Sequence, residues 1–163
     1  MMYFIEQRII KIKNYIGRGL LGGILLGIII IVLPPIYGEG YDTIKALLSN
    51  NENDILANNL IMYDSNNLIV FGIFLAGIVL IKPIATALTI GSGGSGGIFA
   101  PSLFLGGITG YLSALTINNI AGSNIVSLSN FTLVGMCGVM SGVLHAPLTG
   151  IFLIAEITGG YTL

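Results

Sequence analysis

Hydrophobic residues in this chain fall into long uninterrupted blocks, separated by short glycine- or proline-bearing breaks and by one polar stretch. A block that is apolar on every side belongs to a buried or membrane-crossing helix rather than to an amphipathic surface helix. The first block, 16–33, is Gly/Leu/Ile-rich with Arg18 at its edge. Its roughly 18 residues just suffice to cross a hydrocarbon layer of ~30 Å at 1.5 Å per residue. Pro34-Pro35 ends it. Residues 1–15 carry Arg8, Lys11 and Lys13 without a small-residue cleavage pattern, so they read as a lead-in held on the cytoplasmic side by the positive-inside bias. Residues 34–66 then turn polar and acidic, with Glu39, Asp42, Glu52, Asp54 and Asp64 against Lys45 alone. That predicts an exposed outer loop holding one short helix, Tyr41 to Leu48, with the Asp42 carboxylate at its positive end. The acidic residues read as a solvated face rather than an ion-collecting vestibule.

A second span is predicted over 68–90. Lys82-Pro83 near its end should kink it and set the ammonium close to the inner surface. After a glycine-rich loop at 91–97, three more apolar segments follow at 98–117, 131–144 and 147–158. The last two are too short for simple spans. Short helices broken by Pro and Gly are tolerated at membrane depth where their free backbone faces protein or a water-filled path.

Composition sharpens this picture. Charged residues make up 8% of the 163, against about 25% in an ordinary soluble domain, and mean hydropathy is +0.94. Beyond residue 64 the only charges are Lys82 and Glu156, so that half must sit in a bilayer. The net charge of -1, with no basic cluster, excludes a nucleic-acid partner. One cysteine, Cys137, in an apolar run supports neither a disulfide nor a metal site. With a single histidine besides, no nucleophile and base pair is available, so neither an enzyme nor a cofactor is expected.

The chemistry concentrates in Gly91 to Pro101, GSGGSGGIFAP. A backbone bare of side chains here delivers the chain into the first turn of the next helix, where four amides lack internal partners and the macrodipole places about half a positive charge. Gly97, Ile98, Phe99 and Ala100 can therefore form an anion site without a cationic side chain. Pro101 in that first turn sacrifices no helical hydrogen bond. A P-loop would need Lys and then Ser or Thr after its last glycine, and a dinucleotide fingerprint would need a flanking strand and a later acid. Both are missing. The competing reading is helix packing, because Gly23/Gly27, Gly106/Gly110 and Gly138/Gly142 repeat a four-residue glycine spacing. Spacing alone leaves the two open.

The stretch GSGGSGGIFAPSLFLGG, followed by MCGVMSGVLHAPLTGIFLIAEITGGY at 136–161, resembles the second half of the CLC family of chloride channels and chloride/proton exchangers. The G-x-F-x-P element stands at Gly97–Pro101 and the APLTG element at Ala146–Gly150. The resemblance implies an all-α membrane protein of CLC-type second-half helices, one half of an inverted-topology repeat. It further implies a homodimer with one anion path per subunit, in which the Ile98 and Phe99 amides bind the central anion. The family's serine-bearing and glutamate-bearing first-half elements, and its later tyrosine, have no counterpart here. One half-site does not make a pore, so the chain reads as a fragment whose partner is the missing first half of the same protein.

Among the other polar residues, His145 reads as a capping or interfacial histidine rather than a proton relay, Glu156 as a structural acid on a helix that the resemblance puts at the dimer contact, and Ser92 and Ser95 as satisfying local backbone. Tyr111 and Phe104 read as packing residues. The expected function is transport of chloride or a similar anion across the plasma (inner) membrane, the alternative a non-transporting membrane fragment or assembly partner.

Overall fold

The computed structural model describes residues 14–49 and 68–158, and among these every regular element is helical. Helix α1, Tyr15–Val32, starts where the Asn14 side chain accepts a hydrogen bond from the Ile16 N–H. It stops where the Pro34–Ile36 3₁₀ turn begins, since two prolines provide no N–H groups to continue the ladder. Gly38 and Gly40 then turn the chain through left-handed backbone, at φ 61° and 81°. A Cβ on Gly40 would collide with the Phe104 ring, so the turn needs glycine there for space as well as for conformation.

Helix α2, Tyr41–Leu48, lies in the stretch expected to be an exposed outer loop, yet Thr43, Ile44, Ala46 and Leu47 are buried. The helix is amphipathic: its apolar face enters the core while Tyr41 and Lys45 stay outside. Ser129 further down the chain donates to the Leu48 carbonyl at 2.8 Å and pins its end. The remaining acidic residues of that loop, Glu52, Asp54 and Asp64, lie outside the described residues.

Helix α3, Leu68–Gly91, runs through Pro83 without ending. It lies antiparallel to α1, with Gly22 of α1 against Leu88 and Ser92 at its far end. Helix α4, Phe99–Ala121, ends at Gly122 in the left-handed region. The Asn118 side chain ties the turn that follows, accepting from the Ile125 and Val126 N–H groups and donating to the Val126 carbonyl. Helix α5, Leu128–Leu144, begins at a Ser127 cap and ends at His145, whose φ of 54° is the left-handed cap conformation. Helix α6, Pro147–Thr158, follows at once.

The core lies between α3, α4 and α5. Phe71, Leu75 and Ile78 of α3 meet Leu103, Phe104, Ile108 and Tyr111 of α4, with Met136 and Met140 of α5 behind. Phe71 and Tyr111 meet edge to face at 6.2 Å. Helix α4 approaches α5 backbone to backbone: a Cβ on Gly106, Gly110 or Gly135 would run into the main chain of the other helix. In α1 only Gly22 is buried, and Leu20, Ile24, Ile28 and Ile31 are exposed. Among the described residues three helices, Tyr15–Val32, Val70–Gly91 and Phe99–Ala121, are long and apolar enough to cross a membrane, while α5 and α6 are shorter.

Candidate functional site

The glycine-rich connection leaves α3 through a tight turn, in which the Gly93 and Gly94 N–H groups bond the Ile90 and Thr89 carbonyls. Gly93 takes φ 94°, open to glycine and costly for other residues. Residues 93–97 are exposed and lack regular structure, and the chain enters α4 through Ile98, whose side chain cannot cap the helix. The first hydrogen bond of α4 runs from the Ser102 N–H to the Ile98 carbonyl. The amides ahead of it point out of the helix end with no intrahelical acceptor.

That helix end stands at the wall of a cavity of about 350 Å³, lined among others by Gly96, Gly97 and Ala100, by Thr86 and Lys82 of α3, and by Ile30 of α1. Of the four residues expected to hold an anion, Gly97 and Ala100 line this space. Ile98 and Phe99 flank it with side chains 46% and 37% exposed.

Four hydroxyls at or near the cavity are already committed. Thr86 donates to the Lys82 carbonyl, Thr89 to Ala85, Ser92 to Leu88 and Ser102 to Ile98. A hydroxyl has one proton to give, so none of these can also donate to an anion. Ser92 thus acts on local backbone as expected, and Ser95 lines the cavity. Beside these, the cavity wall offers main-chain N–H groups, the third proton of Lys82 and the hydroxyls of Ser95 and Tyr37.

Lys82 is where expectation and structure part. It was expected at the inner surface, but it is 3% exposed and its Nζ donates to the Ile36 and Gly38 carbonyls at 2.7 and 2.8 Å. The ammonium also lies 4.7 Å from the Phe104 ring centre. The reason is accounting of donors: inside an apolar bundle a cation needs acceptors, and the Pro34–Gly38 turn offers two carbonyls that no ladder uses. Sequence patterning missed it because the turn is 44 residues or more away along the chain.

Compared with known proteins, the chain matches the voltage-gated chloride channel family over residues 1–163. The chain belongs to this family. Over 145 residues, 88% of its length, it is 32% identical to the voltage-gated ClC-type chloride channel ClcB of Escherichia coli strain SMS-3-5 / SECEC. The same identity and coverage hold for ClcB of Escherichia coli strain 55989 / EAEC. The chain spans 30% of the length of these curated relatives. No solved structure matches it. Membership in a chloride channel family sets the chain apart from enzymes, and with the three candidate spans it makes this an integral membrane protein.

The other residues singled out from this family member's sequence have plain surroundings. His145 caps α5 and is exposed, Glu156 is exposed on α6, and Tyr111 and Phe104 are fully buried packing residues. A wider groove lined by Glu39, Asp42 and Lys45 follows the Pro34–Ser49 segment. Its two carboxylates against one ammonium make it a poor host for an anion.

Proposed function

We propose that this chain forms one wall of a chloride path through the plasma (inner) membrane, with the anion held by the N–H groups of Gly97, Ile98, Phe99 and Ala100. The observation that carries the reading is the uncapped N-terminus of α4, set beside a cavity near which the Thr86, Thr89 and Ser102 hydroxyls are spent on backbone carbonyls. Partial charges on amides bind an anion without the cost of placing a full cation at the site, and without holding it too tightly to leave. The names of the ClcB relatives support chloride as the anion.

In this reading the described helices are one half of an inverted-topology repeat, α1 runs outward from a cytoplasmic N-terminus, and a first half closes the other side of the path. The complete protein is a homodimer, acting as a channel or a chloride/proton exchanger. Efflux of chloride from liposomes tests it. The complete protein containing this segment should empty the vesicles of chloride, whereas this polypeptide alone should insert and pass nothing above leak. Reproducible efflux from the isolated polypeptide would overturn the half-site reading.

A second reading, a non-transporting assembly partner whose glycines only pack, is favoured by the backbone contact of Gly106 and Gly110 with α5. It fails if the complete protein's flux depends on the α4 amides.

A further inference from the structure

We infer that Arg18 is an anion-recruiting residue at the inner mouth of the path, a fixed positive charge that hands anions to the 93–97 loop. The inference rests on the anion-path reading above. Arg18 lies one turn into α1, at the end that the basic lead-in places inside. An arginine there would ordinarily extend its head outward to water. This one lies against the glycine-rich loop: a Cβ on Gly93 would stand 3.3 Å from its Nη2.

Two further observations describe how it is held. Its guanidinium carbon lies 5.0 Å from the centre of the Tyr15 ring, a cation–π stack that braces the group without neutralising it. Its Nε is buried with no hydrogen-bond partner. Leaving a buried donor unpaired is unfavourable, so this position is imposed by packing rather than chosen for hydrogen bonding. Among the described residues no carboxylate pairs with the guanidinium, so within them its charge is available to what approaches the loop.

The loop it touches is exposed from Gly93 to Gly97 and runs directly into the amides at the start of α4. A cation at a mouth bounded by low-dielectric walls raises the local concentration of anions and their entry rate, by roughly tenfold or more at low salt. Such an effect vanishes when the screening length falls from ~30 Å at 0.01 M to ~3 Å at 1 M. A side chain that merely shapes the loop has no such salt dependence.

The test uses the complete protein in planar bilayers, with chloride varied on the inner face and ionic strength set by sodium gluconate. Arg18→Gln should lower entry of chloride from the inner face by roughly tenfold at low ionic strength, converging on wild type at high ionic strength. Entry from the outer face should be unaffected, and Arg18→Lys should behave nearly as wild type because the charge remains. Chloride affinity by calorimetry at high ionic strength should match wild type, which would place the defect at entry rather than at the amide site. An Arg18→Gln loss that persists unchanged at high salt, or no loss at low salt, overturns the inference while leaving the amide site standing. A wild-type protein that neither binds nor passes chloride overturns the anion-path reading itself.

Discussion

Lys82 illustrates how a single residue can be misplaced by pattern and correctly placed by accounting of hydrogen bonds. Its flanking proline and the nearby loop suggest an interfacial lysine, but the ammonium is a strut that ties α3 to the Ile36 and Gly38 carbonyls. Lys82→Met keeps most of the volume and leaves both carbonyls without their donor, at about 1 to 3 kcal/mol for the buried Ile36 carbonyl and less for that of exposed Gly38. Relief of the buried charge offsets part of this. A net loss of about 1 to 3 kcal/mol in detergent unfolding is expected, together with faster amide exchange across the Pro34–Gly40 turn. A variant as stable as wild type with the turn unchanged would mean that the strut contributes nothing. At the α4 N-terminus the opposite tolerance is expected. Ile98→Val keeps the N–H proposed to bind the anion, so chloride affinity should stay within about threefold of wild type, and a tenfold loss would implicate the side chain.

Among the elements, glycine spacing carried the least information and the structure the most. Three pairs share one spacing, yet among the described residues only Gly106 and Gly110 meet another helix at backbone distance; there a Cβ on Gly23, Gly27, Gly138 or Gly142 meets nothing within 4 Å. Gly110→Ala should therefore cost about 1 to 3 kcal/mol by forcing α4 and α5 apart. Gly138→Ala should be neutral or should stabilise by up to about 1 kcal/mol, because alanine is the better helix former. Comparing the two melting temperatures checks this, and equal effects would contradict the packing described. The burial of α2 was hidden for a related reason. Its acids and Lys45 dominate the composition of the segment, while the Ile44–Leu47 face that packs under α4 is only a few residues wide. The start of α5 was hidden too, since Ser127 and Asn130 look like loop residues and act as a cap.

Across the whole molecule, the blocks of apolar sequence made the spans legible because lipid requires length and apolarity on every face. The alignment of α1 against α3, the Lys82 strut and the cavity beneath it were not legible, because they join residues far apart in sequence. The proposed anion site was legible only as local backbone chemistry, in Gly91 to Pro101, where spacing alone could not separate it from helix packing; family membership makes chloride the anion to test there. Sidedness follows from the same arrangement. In a Cys137→Ser background, Tyr37→Cys at the end of α1 should react with impermeant thiol reagents from outside and His145→Cys from inside; reaction of both from one face would refute the order of the helices. The central claim is that main-chain amides hold the anion. The most direct measurement is calorimetric titration of chloride into the complete protein carrying an ester in place of the Phe99 amide, which deletes one N–H and keeps the ring. A hydrogen bond to a charged partner is worth about 1.5 to 3 kcal/mol, so affinity should fall by roughly ten- to a hundredfold. Unchanged affinity in the ester, beside a large loss when only the Phe99 ring is trimmed to alanine, would contradict the account.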